Sequence, residues 1–452
     1  MPMRPDFLPT RMPLAITGAL AAGMLAALVA GVPAASLTSV ACMLVLLLSG
    51  GIAADYWWTR KAWNLEPPEL QRHLPVAMAI GARCSVTLQL KNTGQRAWDM
   101  QVFDHPGAPL QFSGLPARLR LPPHSITDYI YQVTPAGRGD AQFERAEVRV
   151  RSRLGLLLLR RRLGARELRR VYPDFAQISR YAWLAGDRRL AELGVKTWQR
   201  RGEGTDFKQL SEYRPGDPIR HIDWKATLRA RRPIVREFQD ERDQNVLLLL
   251  DCGRRMRADE QAGIGGHFDQ VLNATVLLAY VALRQGDAVG VQTFAVPEGS
   301  ERHIPPSKGN LALNRMMSSL YDLQPTLTQP DYLRAAGAVM RTLRRRSLVV
   351  IITNFRDEDS AELGQALRLL RTRHLVLLAS VRERALREIA EQPITDHDSI
   401  LQIAAAELFT QQRRAAFQRL ASGHSLMVDA EPDLLGMALV NQYRTAKASG
   451  VI

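Results

Sequence analysis

Two long apolar runs near the N-terminus constrain this chain more than any other feature of its sequence. Met12 to Val32 and Ala34 to Ala54 contain no charged side chain. Each run is long enough, at about 1.5 Å per residue, to cross roughly 30 Å of hydrocarbon. The sequence therefore predicts two transmembrane helices, with a cleaved signal peptide for the first run or a buried core hairpin as the alternatives.

Basic residues flank the outer ends of this predicted hairpin. Arg4 and Arg11 precede the first run, Arg60 and Lys61 follow the second, and the connection from Gly31 to Ser39 carries no charge. Because cytoplasmic flanks are enriched in Lys and Arg, we expect both ends of the hairpin to face the cytoplasm. The runs also lack acidic and basic residues, so the hairpin is predicted to be an anchor rather than a channel.

The net charge of +15 lies mostly between Arg145 and Arg236. A basic region beside a membrane is attracted to anionic lipid, so Arg160 to Arg162 and Arg166 to Arg170 are predicted to face lipid or solvent. An acidic protein partner and nucleic acid are the alternatives, although the chain has no helix-turn-helix or zinc-finger pattern. The three cysteines form no CxxC pair and no even-numbered framework, which suits a reducing compartment.

A dense polar segment, Gly204 to Phe238, leads into the apolar run that ends at Asp251. Its charged side chains must be solvated or paired, and the ring of Trp224 is expected to need apolar cover. Pro233 to Gln239 predicts a strand at the end of the segment. Such a density of charge is uncommon in a linker and indicates a built structure.

Turn chemistry predicts a short helix inside this segment. Pro215-Gly216 indicates a turn, and Asp217 followed by proline is typical of a helix start, with the helix extending to about Ala226. On that helix Arg220 and Asp223 have the i,i+3 spacing of an ion pair. One face is expected to pack and the other to present charge.

These residues carry a resemblance to a known family. The run EYRPGDPIRHIDWKA and the apolar strand ending at Asp251 resemble the bacterial domain-of-unknown-function 58 family, with weaker support from Ser152 to Leu163 and Val171 to Phe175. The resemblance extends from about Leu65 to the end. It implies an inner-membrane protein with a β-sandwich followed by a von Willebrand factor A-like domain, and a cytoplasmic MoxR-type AAA+ ATPase as partner.

The periodicity along the chain agrees with that organisation. We predict a membrane-anchored multidomain protein containing α-helices and β-strands: a hairpin over residues 1–64, a β-sandwich over 65–175, a connecting segment over 176–243 and a doubly wound α/β domain over 244–452. Strands of the last domain are predicted at Val246 to Leu250, Ala288 to Ala295, Leu348 to Thr353, Leu375 to Ser380 and Ser425 to Val428.

The resemblance also indicates where a metal would be held, but the residues depart from the family of A domains. Those domains use an Asp-x-Ser-x-Ser loop and a late Asp, whereas here Gly253 and Arg255 follow Asp251 and Asn354 takes the late position. Mg²⁺ needs oxygen ligands in near-octahedral geometry. We therefore expect a degenerate site without a metal or other cofactor.

Two further expectations concern that site. Thr326 or Thr328 could supply the remaining threonine hydroxyl. Without a metal, Asp251 is expected to pair with Arg254 or Arg255, which leaves the surrounding edge as a recognition surface.

No Walker A, HExxH or GxSxG pattern is present, so the leading hypothesis is a non-enzymatic protein that docks an ATPase and helps to assemble or remodel a client complex. The predicted docking or domain-junction residues are Arg214, Asp217, Arg220, Asp223, Trp224, Asp251, Arg254, Arg255 and Asn354. One alternative is a metal-dependent hydrolase that uses carboxylates between Asp206 and Asp223, and another is a basic nucleic-acid-binding membrane protein.

Overall fold

A computed structural model describes residues 6–174, 206–213, 219–239, 244–258, 266–421 and 426–449. The chain divides into two compact units, Met1–Val171 and Tyr172–Ile452. Arg214 and Asp217 of the predicted docking set lie outside the described residues. The chain is a mixed α/β protein with two apolar helices at its N-terminus.

The two helices near the start of the first unit are α1 (Arg11–Val29) and α2 (Ala34–Leu65). Both are long and apolar enough to cross a membrane. Thr10 caps α1 by accepting a hydrogen bond from the backbone N–H of Met12. The second helix extends beyond the predicted end at Ala54, because Asp55 and the aromatic residues after it continue the same helical backbone.

Three sheets make up the rest of the first unit. The strands are β1 (Phe7–Pro9), β2 (Glu69–His73), β3 (Met78–Ala79), β4 (Cys84–Asn92), β5 (Trp98–Phe103), β6 (Leu110–Ser113), β7 (Ala117–Leu121), β8 (Ser125–Pro135), β9 (Gly139–Phe143), β10 (Ala146–Arg151), β11 (Leu157–Leu163) and β12 (Glu167–Tyr172). The sheet orders are β1-β11-β10-β5-β7, β2-β4-β8-β6 and β3-β12-β9.

Alternating side chains join the two larger sheets into one core. Val86, Leu88 and Leu90 of β4 share a hydrophobic cluster with Val102 of β5 and Val148 of β10, and all are buried. Successive side chains of a strand point to opposite faces, so a strand with this pattern has one buried and one more exposed face. The buried faces of β4, β5 and β10 therefore contribute to a single hydrophobic cluster.

The polar segment forms a two-stranded ribbon with a short helix. The ribbon pairs β13 (Asp206–Glu212) with β14 (Ile234–Gln239), and between them lie a 3₁₀ turn (Ile219–His221) and the helix α3 (Trp224–Ala230). The predicted helix was placed too early. Its start belongs to Trp224 because Asp223 provides the cap, accepting a hydrogen bond from the backbone N–H of Ala226 at 3.0 Å.

The second unit contains a six-stranded sheet with the order β17-β16-β15-β18-β19-β20, in which only β17 is antiparallel to its neighbour. Its strands are β15 (Asn245–Asp251), β16 (Ala288–Phe294), β17 (His303–Ser307), β18 (Leu348–Thr353), β19 (Leu375–Val381) and β20 (Leu426–Ala430). The helices are α4 (His267–Arg284), α5 (Asn310–Leu320), α6 (Tyr332–Thr342), α7 (Ser360–Arg371), α8 (Arg384–Glu391), α9 (His397–Ala421) and α10 (Pro432–Ala448).

Helices cover both faces of this sheet. Leu248 of β15 belongs to a buried cluster with residues of α4 and α10, whereas Leu247 belongs to a second cluster with residues of α6 and α7. Adjacent strand residues point in opposite directions, so both faces are apolar and the strands read as continuous hydrophobic runs. The five predicted strands are present; β17 and α8 were missed, since their sequences HIPPS and RALREIAE lack long apolar runs.

Candidate functional site

The strand order creates a switch point between β15 and β18. From β15 the chain first adds β16 and β17 on one side, and later adds β18, β19 and β20 on the other. In open α/β sheets ligands bind in the crevice at such a point, outside the carboxyl ends of the strands. Asp251 ends β15 and Thr353 ends β18, and we refer to the strand ends and following loops around them as the carboxyl edge.

Asp251 is wholly buried at this edge and is satisfied by protein groups. Its Oδ1 accepts from the backbone N–H of Gly253 at 2.7 Å, and its Oδ2 accepts from the Thr353 hydroxyl at 2.6 Å. The Tyr332 hydroxyl lies 2.9 Å from the same Thr353 oxygen. Burial raises the pKa of Asp251 to about 6, although both hydrogen bonds and the nearby Arg255 charge act in the opposite direction.

Arg255 is also buried, and its ion partners are Glu358 and Asp359. These carboxylates lie in and beside the 3₁₀ turn Asp357–Asp359 that follows β18. The predicted pairing of Asp251 with an arginine is therefore wrong: two acidic groups from the next loop take Arg255. Arg254, in contrast, has an exposed side chain.

The residues around Asp251 do not fit a divalent cation. A Cβ added to Gly253 would lie 2.8 Å from the Thr328 carbonyl oxygen, so a serine cannot be placed there without movement of the backbone. The Thr326 hydroxyl donates to the Ala295 carbonyl at 2.7 Å. Both Asp251 oxygens are hydrogen-bonded as well, and the charge of the nearby Arg255 guanidinium is unfavourable for a cation that needs several oxygen ligands. Within the described ranges, no group of three or more His, Cys, Asp or Glu could hold a metal.

Asn354, which follows β18, connects the loop after β15 to the loop after β19. Its Nδ2 donates to Glu383 Oε1 at 2.9 Å and to the Arg255 carbonyl at 3.4 Å. Glu383 also lies 3.6 Å from the guanidinium of Arg356. The structure thus brings Asp251, Arg255 and Asn354 to one edge, as predicted, but uses them to bind loops to one another.

Sequence reasoning missed the partners that complete this edge. Four of them bond a residue that the sequence had singled out: Thr353 bonds Asp251, Glu358 and Asp359 bond Arg255, and Glu383 bonds Asn354. The fifth, Tyr332, contacts Thr353. The acidic run after β18 was the available signal, because a buried arginine requires carboxylate partners. Their assignment to Arg255 depends on the order of the strands.

In the polar segment, the two described carboxylates that the hydrolase hypothesis would use, Glu212 and Asp223, are each paired with an arginine. Asp223 Oδ2 accepts from Arg236 Nε at 2.9 Å, and Glu212 lies 3.4 Å from the Arg232 guanidinium. The cap on α3 and the Arg236 contact lower the pKa of Asp223. Asp223 thus has a partner on β14. The predicted Arg220–Asp223 pair cannot be compared with it, because the side chains of Asp206 and Arg220 lie outside the described residues.

The same segment carries an exposed apolar surface. Trp224 is 66% exposed and Leu228 is 80% exposed, and the two residues stand one turn apart on α3. We call them the α3 patch. The expectation of apolar cover for Trp224 is wrong for the described part of the chain, because the capped helix turns its ring to solvent. The spacing of Trp224 and Leu228 was a signal for such a surface.

Comparison with solved structures gives weak similarities. The chain is similar to a FixG-related protein from Vibrio parahaemolyticus (TM-score 0.18, 6% identity, 23% of this chain and 96% of that chain). It is also similar to proximal thread matrix protein 1 from the mussel byssus (TM-score 0.26, 10% identity, 45% of this chain and 46% of that chain). Scores this low support no conclusion about fold or function.

Sequence relatives are more informative. The chain is 23% identical over 238 residues to the uncharacterized protein YeaD of Bacillus subtilis, covering 52% of this chain and 55% of that protein. It is 25% identical over 203 residues to the uncharacterized protein Rv1480 of Mycobacterium tuberculosis, covering 44% of this chain and 62% of that protein. The chain thus spans a little over half the length of these relatives.

The match to a family covers both surfaces described above. Residues 209–426 match the family described as "Protein of unknown function DUF58", a narrower range than the resemblance from Leu65 onward. The matched region includes the ribbon, α3 and the carboxyl edge. This region of the chain, residues 209–426, therefore belongs to the DUF58 family.

Proposed function

We propose that this protein is a membrane-anchored, non-enzymatic interaction protein that works with a cytoplasmic MoxR-like AAA+ ATPase in assembling or remodelling a client complex. In this proposal the sheets of the first unit are a β-sandwich and the second unit is a von Willebrand factor A-like domain. The observation that carries the proposal is the α3 patch: an exposed tryptophan and leucine on a helix that is held firmly in place.

Hydrogen bonds to the ribbon fix the direction of α3. The Thr227 hydroxyl oxygen accepts from the backbone N–H of Ile234 at 2.9 Å, and the backbone N–H of Asp223 donates to the Ile234 carbonyl at 2.9 Å. The helix is therefore bound to β14 through one side while Trp224 and Leu228 face solvent. Tryptophan is enriched among residues that dominate interface energies, and a fixed helix loses little entropy on binding.

Charge around the patch favours an acidic partner. Lys225 and Arg229 lie on the exposed side of α3, and Arg231 and Arg232 follow it. Two described acidic residues lie beside this helix: Asp223 pairs with Arg236, and Glu212 lies 3.4 Å from Arg232, while Lys225, Arg229 and Arg231 are exposed. A partner with an apolar pocket rimmed by carboxylates would be attracted and oriented by this arrangement.

The carboxyl edge supports binding rather than catalysis. Its buried charges are neutralised by neighbouring loops, and its oxygen atoms are hydrogen-bonded within the protein. Arg254 remains exposed at the same edge and supplies a cation for a second contact. We include it in the docking surface, together with Asp251, Arg255 and Asn354 as the residues that hold its loop.

Pairing at the N-terminus supports the anchor and its topology. The strand β1 precedes α1 and pairs with β11, while α2 leads directly into β2. The residues before and after the hairpin therefore belong to the same unit. If the two helices cross a membrane, their outer ends face the same side, and the basic flanks make that side cytoplasmic.

Binding between the full-length protein in lipid nanodiscs and a purified MoxR-type AAA+ ATPase from the same bacterium tests the proposal. With a slowly hydrolysed ATP analogue we expect measurable affinity, and we expect Trp224→Ala/Leu228→Ala to weaken it at least tenfold, since hot-spot truncations cost about 2 kcal/mol or more. The matched control is Leu401→Ala/Leu408→Ala, which removes two leucines of α9 that are each 57% exposed.

Arg254→Glu probes the second contact and should weaken binding by a smaller factor that shrinks as salt is raised. Arg345→Glu is its control, because Arg345 is exposed before β18, at the opposite end of the sheet. Absence of binding in every nucleotide state, or equal loss with the leucine control, would contradict the proposal.

A further inference from the structure

The turn from Ser152 to Leu156 joins β10 to β11 and touches the ends of both apolar helices. Thr10, the cap of α1, donates from its hydroxyl to the Gly155 carbonyl at 2.8 Å and from its backbone N–H to the Leu156 carbonyl at 3.0 Å. Asp55 of α2 lies on the same turn. A single short loop therefore lies where the two helices enter the first unit.

Asp55 holds this turn through three hydrogen bonds. It accepts from the Ser152 hydroxyl at 2.5 Å, from the backbone N–H of Leu154 at 2.9 Å and from that of Leu156 at 3.3 Å. The carboxyl group is wholly buried, and a buried carboxyl group without such donors would be costly. Gly155 has φ of +75°, which a residue without a side chain adopts at little cost. The turn is thus a fixed structure.

The position of Asp55 sets the depth of the turn. The apolar run of α2 ends at Ala54, so the Leu154 backbone bonded to Asp55 lies level with the end of the predicted span. Trp57 and Trp58, one turn further along α2, are 56% and 44% exposed. Exposed tryptophans beside the end of a span are typical of the membrane–water interface. Leu154 is 48% exposed at this same level.

Cations accompany Leu154 at this depth. The Arg153 guanidinium lies 5.7 Å from the Trp58 ring centroid, and Arg151 is exposed on the preceding strand. Burial and the nearby Arg153 charge lower the pKa of Arg96, whereas the Asp55 charge acts in the opposite direction. An anionic headgroup beside Arg153 would add a favourable charge at this position.

The arginines at 160–162 and 166–170, predicted to face lipid or solvent, include several that pair with carboxylates of the protein. Arg160 pairs with Glu147 at 2.5 Å, and Arg166 pairs with Glu144 at 2.7 Å. Arg161 lies 3.1 Å from Asp6. These pairs reduce the charge that these arginines offer to a membrane, and they make Arg153 the better candidate for lipid contact.

We infer that the Ser152–Leu156 turn is a membrane-interface element, in which Leu154 enters the headgroup layer and Arg153 binds the phosphate of an anionic phospholipid. This inference rests on the membrane anchoring in the proposed function. It gives α1 and α2 a role beyond tethering, because the turn that they hold would fix the first unit against the lipid surface.

Nitroxide labels on the full-length protein in phosphatidylglycerol-containing nanodiscs test the depth. Cysteine replaces, one at a time, Leu154, Leu46 in the predicted span and the wholly exposed Val76 beyond β2. The background carries Cys42→Ala and Cys84→Ala and keeps only Cys252, which is wholly buried. We expect accessibility to a water-soluble nickel chelate at 154 to be several-fold below that at 76 and above that at 46.

The outcomes separate the turn from the anchor. An aqueous label at 154 with a lipid-buried label at 46 overturns the inference and leaves the anchor intact. An aqueous label at 46 overturns the anchor and the inference together.

Arg153→Gln tests the phosphate contact through the protein's preference for spin-labelled phosphatidylglycerol over phosphatidylcholine. A nearby cation attracts anionic lipid by about 1 kcal/mol, so we expect about a fivefold loss of this preference. The control is Arg83→Gln, at an exposed arginine between β3 and β4. An unchanged preference in Arg153→Gln, or an equal loss in the control, contradicts the Arg153 contact.

Discussion

The carboxyl edge and the α3 patch treat their polar and apolar groups in opposite ways. At the edge, Asp251 and Arg255 are buried and satisfied by neighbouring loops, whereas on α3 the tryptophan and leucine are exposed on a helix held by hydrogen bonds. Burial makes the charges of the edge structural, because each lost partner leaves an uncompensated group. Exposure makes the side chains of the patch available for a partner. A high density of charged residues in the sequence therefore indicates an ordered structure. Whether its side chains stabilise the fold or remain available for a partner depends on their burial.

Arg255→Ala is expected to have the largest effect on stability. It leaves Asp359 buried without its cation, and breaking a buried pair by removing one partner costs about 3–5 kcal/mol. Arg254→Ala, one residue earlier and exposed, should change the free energy of unfolding by less than about 0.5 kcal/mol. Pulse proteolysis of the full-length protein in detergent measures both. Equal effects would remove the distinction between the buried edge and its exposed neighbour.

Asp251→Asn should change how stability depends on pH. The Asp251 pKa is about 6 in the folded protein, against an ordinary value of 3.8. The contribution of this carboxyl group to the free energy of unfolding is therefore fully present below about pH 4 and is lost as pH rises through about 6. Between pH 4 and pH 6 the free energy of unfolding of the wild type should fall by up to about 3 kcal/mol relative to that of the variant. Unfolding at pH 4 to 7 measures the difference. Parallel curves would contradict the shift, and the exposed Asp398→Asn is the control.

Gly253→Ala tests whether the first loop of the edge has room for a side chain. The added Cβ would approach the Thr328 carbonyl oxygen to 2.8 Å, and overpacking of this kind costs about 1–3 kcal/mol. Gly337→Ala, in α6, meets nothing closer than 3.5 Å and should stabilise by about 0.5–1 kcal/mol. Thermal unfolding distinguishes the two signs. A neutral Gly253→Ala would reopen the possibility of a serine-bearing metal loop.

Trp224→Ala/Leu228→Ala should have the smallest effect on stability. Both side chains are largely exposed, so their loss is expected to change the free energy of unfolding by less than about 0.5 kcal/mol. The same measurement on the full-length protein applies. A loss of 2 kcal/mol or more would mean that the patch is packed within the protein, and the comparison between edge and patch would fail.

Much of the fold could be predicted because burial leaves a periodic trace in the sequence. The two uncharged runs, and five of the six strands in the sheet of the second unit, follow from such patterns. The start of α3 could not be predicted in this way. Asp217 and Asp223 are both acceptable caps, and the contact of Asp223 with Arg236 depends on the pairing of β13 with β14.

The sequence allowed us to name residues that lie at the carboxyl edge, but not the interactions that those residues make. Asp251, Arg255 and Asn354 follow the strands whose ends meet at the switch point, so their proximity could be expected. Their partners could not, since Glu358 and Asp359 are about 100 residues from Arg255, and Glu383 lies 29 residues beyond Asn354. Asp55 illustrates the same limit: its position after a span was plain, but its role in holding the Ser152–Leu156 turn was not.

The sequence by itself determined the apolar helices, the buried strands and the match to the DUF58 family, because these depend on local composition and on short runs of specific residues. Only the tertiary structure decided that Arg255 is neutralised within the protein, that Trp224 faces solvent and that both ends of the hairpin join one unit. The physical reason is that pairing and burial depend on distances between segments far apart in the chain. Local patterns specify which groups need partners, and the fold specifies which partners they receive.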